Sequence, residues 1–305
     1  MKKTHLSYTL ALCAQFNIPR IAALTTPPSQ PMQINGVNGV NGVKGVKGVN
    51  GASLPDVFDA WVAMRMGLSS EETPERASSD QIFWAGRGEV YENPSGRVLA
   101  NFEGLDVCRA VQLENGHVRQ IGRKVFWFRD PETDEIMTEF EGRPVRPVQY
   151  DAQVFDYKRG VNVRDPSMPT ILPLNVVGPR IIKCPPCSAR WAGNGQLLFQ
   201  LPLFIDMETP RGHYQAYEFY DYCLDTSFPD DRPGTVFWSR QGPLPPFDQN
   251  NPVVMHFSGY RATAFEDLPG YIREVIEESF PLFRAPPVDM DDVHRIESAR
   301  TASRK

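Results

Sequence analysis

Residues 82–157 alternate between apolar and polar side chains, and turn-forming sequences such as NPSG (93–96) and DPETD (130–134) interrupt them repeatedly. Alternation with a period of two is typical of strands, and turns at this spacing predict a meander of about six antiparallel strands. We therefore expect a mainly β fold. The expected architecture is an antiparallel β-barrel or strongly bent sheet, lipocalin-like in outline, with a few covering helices.

Residues 235–261 form a second strand-rich region, in which two strands flank a proline-rich turn. Successive side chains of a strand point to opposite sides, so Trp238 shares a face with Arg240, and Phe257 shares one with Arg261. Each apolar row ends in an arginine, whose planar fork of donors suits a ligand with an anionic or carbonyl oxygen. The alternative is an ordinary hairpin whose arginines reach solvent or pair with carboxylates.

Arg109 repeats this pattern in the first region. It lies between Val107 and Val111 on an otherwise apolar strand face, where an unpaired charge would be costly. The guanidinium group therefore needs a ligand or a buried carboxylate. Glu103 and Glu89 are the candidate carboxylates.

Arg123 is a further arginine on a strand, and it aligns with Trp127. If the apolar faces of these strands line the inside of a closed barrel, four arginines point towards one cavity. These four are Arg109, Arg123, Arg240 and Arg261.

Two further side chains are candidates for a site. His256, between Met255 and Phe257, is a candidate general acid or base, and a hydrogen-bonded core histidine is the alternative. Tyr220 lies on a strand that mixes aromatic residues with Glu218, a composition that suits a pocket lining. A half-buried sheet face predicts the same composition.

Composition and missing motifs argue against several functional classes. The net charge of −5, with scattered Lys and Arg, gives no electrostatic reason to expect nucleic-acid binding. No apolar run approaches the roughly 18 to 20 residues of a membrane-spanning helix, so we expect no integral membrane segment. Nucleotide and zinc motifs are missing, and the CxxC at 184–187 has no second ligand pair. We therefore expect no cofactor and no metal.

The flanking segments differ from the strand-rich regions. Residues 1–53 contain the repeat INGVNGVNGVKGVKGVNG, whose glycines and small side chains predict disorder. We expect a single β-rich domain over 54–288, with a helix at 54–67 covering one end or side of the sheet and another at 265–283. A polar tail is expected over 289–305.

The expected location is cytoplasmic. Five cysteines at irregular spacing favour a reducing compartment over a disulfide framework. Two lysines at positions 2 and 3 precede a short apolar run, which gives a weak signal-like segment. Secretion is therefore the alternative.

Several short motifs in a fixed order resemble those of one family. WAGRGEVYENPSG, FEGLDVCR, GRKVFWFRDPETDEI, WSRQGPLPPF and HFSGYR are similar to the uncharacterised bacterial and fungal family named domain of unknown function 1838. The resemblance covers residues 82–287. By association alone it implies a setting in fungal natural-product biosynthesis. The positions that match the family motifs are Trp84, Gly86, Gly104, Arg109, Asp130, Thr133, Trp238, Arg240 and Pro243.

Together these features predict a cofactor-independent cyclase, isomerase or lyase, such as a pericyclase, for an apolar carbonyl-bearing polyketide- or terpenoid-like substrate. Preorganised arginines would polarise the carbonyl or stabilise an enolate. The alternatives are a non-catalytic carrier of a lipid or small apolar molecule, and an interaction scaffold with a filled core. A homo-oligomer is left open. The expected catalytic residues are Arg240, Arg109 and His256, and the expected substrate-binding residues are Trp238, Arg261, Arg123, Trp127, Tyr220 and Phe257.

Overall fold

The structure, a computed structural model, describes residues 57–67, 81–113, 116–161, 169–177, 182–183, 187–193, 195–209, 212–225, 234–248 and 251–302. The predicted disordered segment 1–53, with its signal-like start, lies outside these residues. The first cysteine of the CxxC also lies outside them.

Strands dominate the secondary structure, as the alternating sequence pattern predicts. The described residues form three α-helices and thirteen strands, namely α1 (Val57–Met66), β1 (Ile82–Tyr91), β2 (Val98–Gln112), β3 (Val118–Arg129), β4 (Glu139–Phe140), β5 (Arg143–Pro144), β6 (Val148–Val161), β7 (Pro169–Val177), β8 (Ile182–Lys183), β9 (Ser188–Gly193), β10 (Gln196–Thr209), β11 (Gly212–Asp225), β12 (Gly234–Gly242), β13 (Val253–Ala262), α2 (Gly270–Ser279) and α3 (Met290–Ala302).

One antiparallel sheet contains eleven of these strands. Their order is β7-β6-β3-β2-β1-β13-β12-β11-β10, and β8 and β9 both pair with β10. The small strands β4 and β5 pair with each other. The large sheet curls strongly into a half barrel, which confirms the prediction of a mainly β, strongly bent antiparallel fold. The inside of this curl holds the candidate site.

A row of glycines allows neighbouring strands to approach closely at the centre of the sheet. Gly104, Gly86 and Gly259 are direct neighbours on β2, β1 and β13. A Cβ atom on Gly86 would lie 2.0 Å from the carbonyl oxygen of Ser258, so no other residue fits there without movement of the backbone. Gly104 in turn lines a small cavity on the inner face of the sheet.

Helix α1 lies inside the curl. Eight of its ten residues are buried, which is typical of a helix surrounded by protein on all sides. Trp61 is fully buried, and its ring lies 5.8, 5.2 and 5.4 Å from those of Tyr157, Phe199 and Tyr222. These partners belong to β6, β10 and β11. The helix thus fills the interior instead of covering one end or side, because it has no polar face to present to solvent.

Helix α2 and two flanking 3₁₀ turns cover part of the outer face of the sheet. They bury Ile272 and Ile276 against Leu105 and Val125, which point outward from β2 and β3. The single helix predicted over 265–283 is interrupted, because Pro269 precedes α2 and a second proline begins the turn Pro281–Arg284. Both faces of β2 and β3 are consequently buried.

The segment predicted as a polar tail contains helix α3. Asp289 Oδ1 accepts a hydrogen bond from the backbone N–H of Asp292 at 2.9 Å, which stabilises the first turn. Val293 is buried against the outer face, next to Val111 and Val154. Met290 packs against the same cluster, so the start of α3 is docked on the sheet by these two apolar side chains.

Candidate functional site

A small cavity lies on the inner face of the curled sheet. Its volume is about 40 Å³, which is enough for water molecules and for very small ligands. Two ionisable side chains of opposite charge, Asp106 and Lys124, line it. The rest of the lining is largely aromatic, and comprises Trp84, Phe102, Phe126, Tyr220, Tyr222, Trp238 and Phe257.

Lys124 reaches this cavity because side chains alternate along β3. It shares the inner face with Phe126 and Phe128, while the residues between them point outward. Asp106 is its direct neighbour across the ladder between β2 and β3. An amine and a carboxylate therefore lie side by side on the inner face of the sheet.

The Lys124 amine is surrounded by aromatic rings. Its Nζ donates a hydrogen bond to the hydroxyl oxygen of Tyr220 at 3.1 Å and lies 4.5 Å from the ring centroid of Trp238. Burial lowers the pKa of Lys124 below the usual value, although the charges of Glu218 and Asp106 partly oppose this effect. A larger fraction of this amine is consequently neutral than for an exposed lysine.

This shift of the Lys124 pKa predicts a pH-dependent stability difference. Between the lowered pKa and the unfolded-state pKa of about 10.4, the unfolded chain binds more protons than the folded protein. We therefore expect the wild type to gain stability relative to Lys124→Met as the pH rises through this window. Chemical unfolding of both proteins between pH 7 and 10 measures the difference. The partly exposed Lys158→Met is the control, and a parallel pH dependence of all three proteins would contradict the prediction.

A hydrogen-bonded chain continues from Tyr220 to Arg240. Tyr220 Oη donates to Glu218 Oε2 at 3.0 Å, and Trp238 Nε1 donates to the same oxygen at 3.3 Å. Arg240 Nε lies 3.5 Å from the other oxygen of Glu218. Burial and the nearby negative charge raise the pKa of Tyr220 well above its usual value, so its hydroxyl stays protonated. Its proton is donated to Glu218, and its oxygen accepts from Lys124.

Two buried polar atoms at the cavity wall have no hydrogen-bond partner among the described residues. They are Oδ1 of Asp106 and Nε1 of Trp84. The other oxygen of Asp106 accepts a hydrogen bond from Arg65 Nη2 of helix α1 at 2.7 Å. Leaving a buried donor or acceptor unpaired costs about 1 to 3 kcal/mol, so such atoms mark places where water or a ligand supplies the missing bond.

Several predicted site residues lie on this inner face. Trp238, Tyr220 and Phe257 line the cavity, and Arg240 lies behind them on Glu218. Arg261 also points inward, but it donates hydrogen bonds to the carbonyl oxygens of Met64 and Ala63 at 3.0 and 3.2 Å. Arg261 thereby supplies hydrogen-bond donors to the carbonyl groups in the last turn of α1, which have no partner within the helix.

The four arginines do not converge on one cavity, because Arg109 and Arg123 lie on the outer face of the sheet. Arg123 donates to the carbonyl oxygens of Asp151 and Ala285 at 3.0 and 2.6 Å, and holds the C-terminal segment against β3 and β6. Apolar alternation separates the two faces of a strand. It does not tell which face is inside when both are buried.

Trp127 is also on the outer face. Its Nε1 donates to Glu103 Oε2 at 2.9 Å, and its ring stacks on Phe280. Glu103, a candidate partner for Arg109, instead binds Arg129 and forms an ion pair with Arg87. Its carboxylate is therefore already engaged by three donors on this face.

His256 is exposed on the outer face, apart from the interior cavity. Its Nδ1 lies 3.0 Å from Ser239 Oγ. It lines a separate outer cleft of about 320 Å³ together with Arg87 and Arg129. A role for His256 as acid or base in the interior cavity is excluded by this position.

No protein-family model, curated protein or solved structure matches the chain. The resemblance to the family named domain of unknown function 1838 therefore stays a prediction. Within the described part of the chain, no three His, Cys, Asp or Glu side chains are grouped so that they could hold a metal ion. Every helix described is too short or too polar to cross a membrane. Function has to be argued from the geometry of the site.

Sequence reasoning missed Lys124, Asp106 and Trp84 as site residues. The available signal was a single charge in each of two apolar rows, Lys124 before Phe126 on β3 and Asp106 after Gly104 on β2. The arginines on the opposite faces repeat the same signal. Alternation alone therefore cannot tell whether Lys124 and Asp106 or the arginines on the opposite faces line the cavity.

Proposed function

We propose that the protein is a cofactor-independent isomerase, lyase or cyclase that acts on a small apolar carbonyl compound in the interior cavity. One observation carries this proposal. The unpartnered Asp106 Oδ1 and the Lys124 amine, which Tyr220 holds by a hydrogen bond, lie in one aromatic cavity. A carboxylate base beside donors for a carbonyl oxygen is the arrangement that proton transfer next to a carbonyl requires.

The substrate carbonyl oxygen would accept a hydrogen bond from Lys124 Nζ. Asp106 Oδ1 would then remove a proton from the carbon next to the carbonyl, and the negative charge would move to the oxygen. Return of the proton to another carbon gives an isomerase, loss of a leaving group gives a lyase, and attack within the substrate gives a cyclase. The aromatic walls would exclude water and strengthen each of these electrostatic contacts.

Arg240 acts in this scheme as a positioning residue. It neutralises Glu218, which in turn accepts the hydrogen bond of the Tyr220 hydroxyl. The Tyr220 oxygen is thereby oriented to accept from Lys124. This role replaces direct contact between the arginine and the carbonyl, and it leaves Arg109 and Arg123 outside the reaction.

Access to the cavity involves helix α1. A volume of about 40 Å³ is smaller than a polyketide- or terpenoid-like substrate, so side chains or the helix must move when such a molecule binds. The helix carries Arg65, the partner of Asp106, and accepts hydrogen bonds from Arg261. A shift of α1 would therefore release Asp106 from Arg65 and leave the cavity-lining ring of Tyr222, which contacts Arg65 and Trp61, free to move.

A non-catalytic carrier of a small apolar molecule is the second candidate, because the aromatic lining supports it as well. The two functions differ in what happens to a bound ketone. A carrier binds it without chemical change, whereas the proposed enzyme exchanges the hydrogens next to the carbonyl.

Exchange of these hydrogens tests the proposal. We expect the protein in D₂O to accelerate deuterium incorporation into small ketones such as phenylacetone, followed by mass spectrometry. Asp106→Asn should reduce the rate about 100-fold or more, since a positioned base contributes a factor of this size. The matched control is Asp221→Asn on the outer face of β11, which should retain the wild-type rate. Equal rates of deuterium incorporation in Asp106→Asn and wild type, or no incorporation with either protein, would contradict the enzyme hypothesis.

A further inference from the structure

We infer that Lys124 is an amine nucleophile that forms an imine with an aldehyde or ketone in the interior cavity. This inference deepens the function proposed above and rests on it. It adds a covalent step and restricts the substrate class to aldehydes and ketones, because esters and amides do not form imines with a lysine.

The surroundings of the half-buried Lys124 differ from those of the buried arginines. Arg65 and Arg123 are ion-paired with Asp106 and Asp292, and Arg240 pairs with Glu218. Lys124 forms no ion pair with any described carboxylate, and its amine donates a hydrogen bond to the neutral hydroxyl of Tyr220. A cation needed only for structure would be expected to have a carboxylate partner in such a site.

The aromatic walls act on the amine in two opposite ways. The ring faces of Trp238, Phe126 and Tyr220 attract the charged ammonium by cation–π interaction. They also keep water away from Nζ, which favours neutral lysine, the nucleophilic form. The lowered pKa of Lys124 agrees with this geometry. Arginine could not serve here, since its guanidinium group stays protonated in proteins.

Imine formation balances with groups that are present in the cavity. The nitrogen lone pair of Lys124 attacks the carbonyl carbon, a C–N bond forms and the carbonyl electrons move to oxygen. Asp106 Oδ1 accepts a proton from the nitrogen and passes it to the oxygen, and then does the same with the second amine proton. The C–O bond breaks as the C=N bond forms, the oxygen leaves as water, and no oxidant or reductant is needed.

Reductive trapping tests this inference. The full chain is incubated with a low concentration of acetaldehyde and sodium cyanoborohydride, and adducts are located by peptide mass mapping. We expect Lys124 to be alkylated at least tenfold faster than the partly exposed Lys158, and the interior adduct to disappear in Lys124→Arg. Labelling of Lys124 at the rate of Lys158 or more slowly would overturn the inference.

The trapping experiment tests the imine and the exchange experiment tests the proposed proton transfer, so either hypothesis can be contradicted without the other. Ketone exchange by the wild type without an adduct at Lys124 overturns the imine and leaves the proposed enzyme standing. A fast adduct at Lys124 without ketone exchange supports the amine nucleophile and removes the proposed proton transfer. Lys124→Met, with thermal unfolding recorded in parallel, separates loss of the amine from loss of the fold.

Discussion

Replacement of Trp61 by alanine is expected to lower the free energy of unfolding by about 3 to 5 kcal/mol. The indole is fully buried inside the curled sheet and contacts rings from three different strands. Its removal leaves a cavity that the surrounding strands cannot close, because their hydrogen-bonded ladders hold them apart. Urea unfolding of wild type and variant measures this loss.

Phe219→Ala is the matched control for this experiment. Phe219 is 47% exposed on the outer face of β11, so its truncation should change stability by no more than about 0.5 kcal/mol. If Trp61→Ala cost as little as the control, α1 would be a detachable segment and not a part of the core. The same variant should bind small apolar molecules more readily, because the enlarged space adjoins the interior cavity.

Replacement of Glu103 by leucine is the second substitution with a large expected effect. The carboxylate is 1% exposed and accepts hydrogen bonds from Trp127 Nε1 at 2.9 Å and Arg129 Nε at 2.8 Å. Arg87 pairs with its other oxygen. Arg129 is largely buried, so loss of its carboxylate partner costs about 3 to 5 kcal/mol, whereas the half-exposed Arg87 remains solvated and adds little. Chemical unfolding again gives the measured value.

Glu103→Gln keeps the shape and one acceptor oxygen, so it should cost less than Glu103→Leu. The surface control is Glu92→Gln, which removes an exposed ion pair with Arg97 and should leave stability nearly unchanged. A Glu103→Leu variant as stable as Glu92→Gln would mean that the buried network adds nothing to the folded state.

Alternation along the strands was sufficient to predict the fold class and part of the site. Spacing predicts that Trp238 shares a face with Arg240 and that Phe257 shares one with Arg261. Both rows lie on the inner face, where Trp238 and Phe257 are direct neighbours across β12 and β13. The prediction succeeded because each of these strands has one polar and one apolar face. Side-chain alternation with a period of two then identifies the apolar face as the buried one.

The same reasoning failed where both faces of a strand are apolar. Arg123 and Lys124 are adjacent in sequence, yet one holds the C-terminal segment and the other lines the cavity. Long-range packing decides between them, since α2 covers one face and α1 the other. Neither helix is adjacent to β3 in sequence, so no local pattern contains this information.

The place of β1 in the sheet has a consequence for biosynthesis. One edge of β1 pairs with β2 soon after it is made, but the other edge pairs with β13, the last strand of the sheet. A nascent chain that has not yet reached β13 therefore leaves β1 and β12 with open edges, which favour aggregation. Contacts between such distant segments also slow folding. Chaperone dependence of expression, and insolubility of chains that end before Val253, are the expected cellular signs of this topology.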